Sequence, residues 1–465
     1  MTTFYIEQFG CRATQADAAA IERQLRDRGF SAAGESASAD VVIVNTCTVT
    51  AAADAQARDA IRKLHARNPA ARVIATGCYA QRAPEELAEL PGVSWVVGNS
   101  HKPKIPWLVD SVCAGDGGYA AKGFVPVSTL GEEKLSLLRG PAKILTGDIF
   151  EQKVFLAAPV VGGEGNHTRP VVKIQDGCNS RCAYCVIPFV RGRSRSLEPA
   201  LVIEEIARLS GAGYREIVLS GINLGTYGRD LSPRVGLIEL LRRVLDETSV
   251  ERLRISSIEP MDVTEELIAL FALSERMAQH FHMPLQSGCD RVLRAMHRWY
   301  RAEHYARRVE LIRERLPHAA IGADVIAGFP GETDAAHAET VAFIERLPFS
   351  YLHVFSYSKR PGTRAAEIAD QVPAPVVKSR ARELRALGDR KIVEFRRSQV
   401  GRELRVLTLR NEGRSSEMTP AISSNYLQMS VRGKFAANEW LDVIVADDEG
   451  LVGEPTLSAV QSCCS

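Results

Sequence analysis

The sequence contains no run of eighteen or more apolar residues, so we expect no membrane-spanning helix. Its first residues, MTTFYIE, lack a basic region followed by an apolar stretch, which argues against a signal peptide and predicts a cytoplasmic protein. A net charge of +2 over 465 residues is too small to indicate a polyanionic partner by itself. With 45% hydrophobic and 25% charged residues, the chain has the composition of a soluble globular protein, and its length predicts two to four domains.

Cysteines, in contrast, are frequent. Ten of them in a protein expected to be cytoplasmic indicate metal or redox chemistry before disulfides. In the N-terminal region predicted strands alternate with helices, as in a parallel sheet, whose strands present their carboxyl ends at one ligand-binding edge. We therefore predict a metal site formed by Cys11 after strand 4–8, Cys47 after strand 41–45 and Cys78 after strand 72–76. The alternative is three buried, inert thiols, which would scatter over strands and helices.

Changes in periodicity divide this α/β protein into four parts. Residues 1–112 form an α/β domain with a parallel sheet, and 113–167 form a glycine-rich linker. Strands and helices then alternate six times in 168–397, which predicts a partial, open (β/α)6 barrel with strands at 170–175, 216–220, 251–256, 280–283, 320–326 and 351–355. Short strands separated by Gly, Asn and Ser in 398–462 predict a small all-β barrel of five strands.

A second group of cysteines follows the first strand of the predicted barrel, with the spacing C-x3-C-x2-C. Three thiolates at this spacing can each bind one iron of a cubane cluster. The next cysteine is Cys289, so the fourth iron stays open, as catalytic metal sites keep an open position. We predict that Cys178, Cys182 and Cys185 hold a catalytic [4Fe-4S] cluster. The alternative, a structural zinc site, lacks a fourth Cys or His at zinc spacing.

This motif, with an aromatic residue before its last cysteine, resembles that of the radical S-adenosylmethionine superfamily. Together the segments NTCTVT (45–50), ATGCYAQ (75–81), QDGCNSRCAYCVIPFVRGRSRS (175–196), LSGINLGTYG (219–228), HMPLQSGCDRVLRAMHRWY (282–300) and DVIAGFPGETD (324–334) resemble the methylthiotransferases. That family joins a three-cysteine N-terminal domain, a radical S-adenosylmethionine barrel and a C-terminal TRAM domain. The resemblance implies an enzyme that uses S-adenosylmethionine and two [4Fe-4S] clusters, with Cys11, Cys47 and Cys78 holding the auxiliary cluster.

Five further residues are candidates for binding S-adenosylmethionine. Tyr184 resembles the superfamily aromatic that lies near the adenine. Ser220 and Asn223 follow the second barrel strand and are placed to meet the methionyl end. Glu259 follows the third strand and is placed to accept from the ribose hydroxyls, and Gln286 follows the fourth. For each, an ordinary polar loop residue or a helix cap is the alternative.

The substrate is inferred from the branch of the family that the chain resembles most. The phrases RGRSRS (191–196), NTCTVTAAAD (45–54) and ARNPAARVIATGCYAQ (66–81) resemble the MtaB type, which adds a methylthio group to C2 of N6-threonylcarbamoyladenosine at position 37 of tRNA. The alternatives are isopentenyladenosine in tRNA and an aspartate of a ribosomal protein. The sequence departs from the family after its first cysteine, where Thr14 replaces the usual asparagine and Gln15 is kept.

Two features bear on tRNA as the partner. The segment SNYL (424–427) resembles a TRAM domain, usually an RNA-binding element, although family members that act on protein also have one. Residues 291–315 carry eight arginines against three acidic residues, and 376–402 carry nine Lys/Arg against three. These stretches either contact phosphates or are solvated helix faces. The sulfur donor and the reductant stay open. A non-catalytic scaffold would be expected to lack one of the six cysteines, and all six are present.

Overall fold

The computed structural model describes residues 2–113, 142–153, 155–156, 168–410, 417–447 and 451–456. Its strands are β1 Thr3–Gln8, β2 Ser31–Ala32, β3 Val41–Thr46, β4 Arg72–Gly77, β5 Val93–Gly98, β6 Lys143–Leu145, β7 Val171–Lys173, β8 Gln175–Asp176, β9 Arg195–Ser196, β10 Glu216–Ser220, β11 Arg252–Ile255, β12 His280–His282, β13 Ala320–Ala327, β14 Tyr351–Ser356, β15 Glu403–Thr408, β16 Met418–Ser423, β17 Gln428–Arg432, β18 Trp440–Val445 and β19 Val452–Pro455. Its α-helices are α1 Arg12–Asp27, α2 Ala51–Arg67, α3 Cys78–Arg82, α4 Pro84–Ala88, α5 Ile105–Cys113, α6 Ile187–Arg191, α7 Pro199–Gly211, α8 Leu237–Glu247, α9 Glu265–Leu273, α10 Asp290–Ala295, α11 Ala302–Arg315, α12 Asp334–Arg346, α13 Arg364–Glu367 and α14 Ala374–Arg397. Within these described ranges, no helix is long and apolar enough to cross a bilayer.

The N-terminal part is a parallel sheet with the strand order β2-β1-β3-β4-β5-β6. All six residues of β3 are buried, because helices cover both faces of the sheet. Alternate residues of β3 pack on opposite sides: Val41 and Ile43 lie in the cluster that contains α1 and α5, and Val42 and Val44 lie in the cluster that contains α2 and α4. The predicted parallel α/β fold is confirmed. Residues 143–145, inside the predicted linker 113–167, form the edge strand β6 beside β5.

The central part contains the six parallel strands that the sequence predicts. They form two three-stranded sheets, ordered β11-β10-β7 and β12-β13-β14, which share one hydrophobic core. A parallel bridge between Leu253 and Met277 connects the two sheets at β11. In the described part of the chain, β7 and β14 do not pair with each other, so the barrel is open, as predicted. Helix α1 of the N-terminal sheet contacts β7 on one side of this opening.

The C-terminal part is a closed five-stranded barrel with the order β15-β16-β17-β19-β18. All its pairs are antiparallel except β17 with β19. Its core consists of small and medium apolar side chains such as Val406, Val431 and Val443. The prediction of a small all-β barrel of five strands is confirmed.

A buried carboxylate connects this barrel to the central part. Glu216 at the start of β10 has no exposed surface and pairs with Arg252 and with Arg254, whose Nε lies 2.7 Å from Oε1. The same two arginines donate to main-chain carbonyl groups at the end of β16, Ile422 and Ser423, each at 3.0 Å. Burial by itself would raise the pKa of Glu216, but the arginines lower this pKa further than burial raises it.

We predict that Glu216→Gln lowers the free energy of unfolding by about 3–5 kcal/mol, because it leaves buried guanidinium groups without a counter-charge. The lowered pKa means that the stabilisation is present above the unfolded-state pKa of about 4.3 and is lost as the pH falls further. Urea unfolding of the metal-free chain at pH 7 measures the first effect, and the shrinking difference between the original chain and the variant from pH 5 to about pH 3 measures the second. The matched control is Glu345→Gln, since Glu345 pairs with Arg390 at the surface and contributes at most about 1 kcal/mol. Equal effects of the two substitutions would contradict the prediction.

Candidate active site

Three thiols converge in the loop that follows β8. The loop turns back on itself through a hydrogen bond from the Cys178 N–H to the carbonyl of Gly192, at 3.1 Å, and Cys185 N donates to Cys182 O at the same distance. Gly177 has φ +71, and a Cβ there would lie 2.0 Å from the carbonyl oxygen of Arg193, so only glycine fits. As a result Cys178, Cys182 and Cys185 all line one cavity of about 550 Å³.

Polar side chains surround these thiols, and some of their buried atoms lack a hydrogen-bond partner among the described residues. Arg298 Nη1 lies 3.3 Å from Cys182 Sγ, and the same guanidinium group pairs with Glu259. Asn223 Nδ2 lies 3.9 Å from Cys178 Sγ. The buried atoms Arg298 Nε and Asn223 Oδ1 have no hydrogen-bond partner among the described residues. Buried polar atoms are normally paired, so this arrangement fits a ligand bound at the thiols.

Burial raises the pKa of Cys182, and the nearby Arg298 acts in the opposite direction. Burial and the neighbouring thiolate of Cys182 raise the pKa of Cys185 to about 12. Without a metal these thiols are therefore largely protonated at neutral pH, and metal binding would release their protons. The donor set, three thiols beside an arginine, suits a cluster that carries negative charge on its ligands.

The other predicted cofactor residues lie in three places. Asn223 and Glu259 are next to the thiols, as described above. Tyr184 and Gln286 line a second cavity of about 190 Å³, in which Gln286 has a positive φ of +66. Ser220 is buried at the end of β10 and lines neither cavity. Arg298 was not among the predicted residues; its arginine-rich surroundings in the sequence gave no sign that this side chain turns inward.

The second group of cysteines lies at the carboxyl ends of three neighbouring strands. Cys11 follows β1, Cys47 follows β3, and Cys78 follows β4 as the first residue of α3. Gly10 and Gly77 precede two of them with φ +103, and a Cβ on Gly10 would lie 2.9 Å from Cys47 Sγ. The predicted juxtaposition of these cysteines is therefore present in the fold.

The electrostatics of this group agree with its geometry. Burial, together with the thiolates of Cys78 and Cys11, raises the pKa of Cys47 to about 12, so the three sulfurs are close enough to interact. Asn99 Nδ2 lies 3.5 Å from Cys78 Sγ, while Asn99 Oδ1 is buried without a partner among the described residues. Three convergent thiols with an orphaned polar atom beside them again fit a cluster held by three protein ligands.

A buried ionic network joins the two cysteine groups. Asp17 of α1 accepts from Lys102 Nζ at 2.8 Å, from Lys173 Nζ at 2.5 Å and from Arg191 Nη2 at 3.0 Å. Asp176, two residues before Cys178, accepts from Lys173 at 3.0 Å and from Arg191 at 2.9 Å. Burial alone would raise the pKa of Asp17, but the surrounding cations lower this pKa below its usual range. The network therefore consists of charged groups and connects the N-terminal sheet to the cysteine loop of the barrel.

A second ionic contact connects the same two parts of the chain. Arg360, after β14, donates to Asp54 at 2.5 Å and to Thr48 at 2.8 Å, and it is 3% exposed. Ser358 accepts from the main-chain N–H of Ala51 at 3.0 Å. Ser358 also lines the 190 Å³ cavity, together with Cys185 and with Val49 and Thr50, which follow Cys47 by two and three residues.

Comparisons with known proteins agree with this architecture. Residues 3–98 match the Uncharacterized protein family UPF0004, and residues 172–344 match the Radical SAM superfamily. The Threonylcarbamoyladenosine tRNA methylthiotransferase MtaB of Aquifex aeolicus (strain VF5) is 35% identical over 440 residues, which cover 94% of this chain and 99% of the relative. The tRNA-2-methylthio-N(6)-dimethylallyladenosine synthase of Thermobifida fusca (strain YX) is 34% identical over 420 residues, which cover 90% and 80%.

Among solved structures, the radical S-adenosylmethionine methyltransferase TsrM from Kitasatospora setae, with cobalamin and a [4Fe-4S] cluster bound, superposes with a TM-score of 0.57. The match covers 78% of this chain and 77% of that chain at 17% sequence identity. At this identity the similarity shows a shared fold.

We predict that alkylation distinguishes two of the N-terminal thiols, Cys11 and Cys47, in the metal-free protein. Cys11 is exposed, whereas Cys47 is 6% exposed and has its pKa raised to about 12. Iodoacetamide at pH 8 should therefore label Cys11 at least ~10-fold faster than Cys47, because the thiolate is the reactive form. Peptide mass spectrometry over time measures the two rates, and the urea-unfolded chain, in which they should converge, is the control. Equal rates in the folded protein would show that the strand ends are arranged differently.

Proposed function

Because the chain belongs to the radical S-adenosylmethionine tRNA methylthiotransferases, we propose that it transfers a methylthio group to C2 of N6-threonylcarbamoyladenosine at position 37 of tRNA, using two [4Fe-4S] clusters. One observation carries the proposal: a single cavity is lined both by Cys185 of one cysteine group and by Val49 and Thr50, which follow Cys47 of the other group by two and three residues. A carbon atom placed there lies between the two groups. Proximity of this kind can supply a large part of the reduction in the barrier.

Cys178, Cys182 and Cys185 would hold the barrel cluster, and Cys11, Cys47 and Cys78 the auxiliary cluster. When bound, the first supplies the electron that cleaves S-adenosylmethionine and the second supplies the sulfur. The protein residues position the reactants. Lys102 and Arg191 lie close enough to Cys78 to interact with its charge, so they would stabilise a negatively charged group bound at this cysteine.

The charges at the barrel thiols suit the methionyl end of S-adenosylmethionine, which carries one carboxylate and one ammonium group. Arg298 would bind the carboxylate and Glu259 the ammonium group, since this ion pair lies beside Cys182. Glu259 was expected from its sequence position to meet the ribose, and its contact with Arg298 favours the methionyl end instead. Asn223 is close to Cys178 on the same side. Tyr184 and Gln286 line the neighbouring cavity and would contact the adenosyl part.

The tRNA would be bound by exposed cationic side chains. The structure distinguishes the buried from the exposed arginines of the two basic stretches. In the two basic stretches, Arg298 is buried at the thiols, and Arg380 is buried and pairs with Glu332 at 2.7 Å. The exposed arginines of α14, such as Arg382 and Arg385, would be available to contact the phosphates of the tRNA. The C-terminal barrel, of the kind that binds single strands in other proteins, lies against the central part through the Glu216 contact.

We predict that the two cysteine groups have separable roles. Cys178→Ala should abolish formation of 5′-deoxyadenosine, because the barrel cluster loses a ligand, while the chain stays folded. Cys47→Ala should keep that formation and lose methylthio transfer, because only the auxiliary site is affected. Anaerobically reconstituted variants are assayed for 5′-deoxyadenosine, product and iron, with circular dichroism as the folding control. 5′-Deoxyadenosine produced by the Cys178 variant would disprove the cluster assignment.

The substrate is tested by mass spectrometry of tRNA nucleosides from a strain in which the gene is deleted. We expect the 2-methylthio form of N6-threonylcarbamoyladenosine to disappear and to return when the gene is restored on a plasmid. A plasmid with Cys47→Ala is the matched control and should not restore it. Loss of the 2-methylthio form of isopentenyladenosine instead would favour the activity named for the Thermobifida fusca relative, and an unchanged nucleoside profile would favour the protein-modifying branch.

A further inference from the structure

We infer that a surface outside the barrel cysteine loop docks a small acidic protein that donates single electrons to the barrel site. This surface, called here the donor surface, is formed by Phe150, Arg181, Phe189, Arg193 and Arg364. The inference rests on the proposed function, since it concerns the electron that S-adenosylmethionine cleavage consumes.

The position of the donor surface is the first argument. Its five residues line the same 550 Å³ cavity as Cys178, Cys182 and Cys185. Cys185 is the one residue that also lines the 190 Å³ cavity between the cysteine groups, so the cysteine loop separates the donor surface from the place proposed for the target carbon. A partner on the donor surface therefore approaches the barrel thiols without crossing the substrate cavity.

The composition of the surface is the second argument. Phe189 is 55% exposed and Phe150 is 41% exposed, and their rings meet edge to face with centroids 6.3 Å apart. Two adjacent exposed aromatic rings beside a polar rim are typical of interaction surfaces, where buried aromatic anchors contribute much of the affinity. The linker residues around Phe150 and the helix α6 that carries Phe189 contact each other, so the pair is held in place.

The charge of the surface is the third argument. Three arginines and no carboxylate line the cavity. Arg181 and Arg193 are exposed and form no ion pair with any described residue, and Arg364 has only a 3.4 Å contact with His297. An uncompensated positive rim around an aromatic centre is complementary to an acidic protein and would accelerate its association.

The electron balance is simple. One electron leaves the carrier, which is oxidised, and reaches S-adenosylmethionine by way of the barrel cluster. The C5′–S bond then breaks, giving methionine and the 5′-deoxyadenosyl radical. No proton is taken up in this step, so the carrier needs only a redox group near its surface, such as a flavin or an iron–sulfur cluster.

The test is the double charge reversal Arg181→Glu/Arg193→Glu in the reconstituted full-length enzyme. A reduced flavodoxin and a reduced ferredoxin, both acidic, serve as the two probes. We expect the affinity of at least one probe, measured by calorimetry, to fall at least ~10-fold, as charge pairs across an interface contribute at this level. The formation of 5′-deoxyadenosine driven by that probe should fall in parallel, and by a larger factor than the formation driven by dithionite, which needs no docking surface. The control Arg23→Glu/Arg234→Glu makes the same charge change at exposed residues outside the cavity and should alter none of these quantities.

Unchanged affinity for both probes would overturn the proposal. A loss of tRNA affinity with unchanged probe affinity would overturn it too and would identify the surface as a phosphate contact. If the double-reversal variant fails to incorporate iron, the milder Arg181→Gln/Arg193→Gln variant is tested by the salt dependence of probe binding. Probe binding to the original chain should weaken from 50 to 500 mM salt, and the variant should lose most of that dependence. Failure of the proposed function is distinguishable, because it removes dithionite-driven 5′-deoxyadenosine formation while probe binding is still measurable.

Discussion

The carboxylate of Asp17 joins the two halves of the candidate active site. It lies on the helix that begins immediately after Cys11, and its partners Lys173 and Arg191 flank the barrel cysteine loop on either side along the chain. A hydrogen-bonded ion pair is directional, so these contacts fix distance and orientation together. The position of one cysteine group relative to the other, on which any reaction between two clusters depends, follows from a few contacts at this carboxylate.

A buried ionic network holds two domains together at a high cost in desolvation free energy. Apolar residues of the same size would often give equal or greater stability, because each buried charge costs desolvation. The charges here have a second consequence. Four cations, Lys102, Lys173, Arg191 and Arg195, surround two carboxylates, Asp17 and Asp176, so positive charges outnumber negative ones in this network. Arg191 lies close enough to Cys78 and Cys11 for their charges to interact, so the positive charge suits a negatively charged group bound at these cysteines.

The sequence alone was enough to predict that the cysteines come together, but not which polar side chains lie around them. The sequence could predict that Cys11, Cys47 and Cys78 lie close together, because the carboxyl ends of parallel strands share one edge of a sheet. This rule requires only the local sequence patterns that mark each strand. Arg298 could not be found in this way, because it meets Cys182 across 116 residues of sequence and lies within a stretch of charges that resembles a solvated helix. The same holds for Asp17 and Arg191, which are 174 residues apart. Strand β6 was missed because three residues of a glycine-rich segment carry no periodicity, and they pair only where β5 offers an open edge.

The two cysteine groups differ in exposure, and the difference matches what each would have to do. In the N-terminal group Cys47 and Cys78 are buried and Cys11 is exposed, whereas all three barrel cysteines are partly exposed along an open cavity. Burial of two of the three N-terminal thiols would limit the access of water and small thiols to a sulfur group held there. The barrel site must instead accept an electron from outside in every cycle, which a fully enclosed position would hinder. Cys185 lines both the arginine-lined cavity and the cavity that Val49 and Thr50, shortly after Cys47, also line. Under the proposed function, the cysteine loop would therefore separate the path of the electron from the path of the substrate.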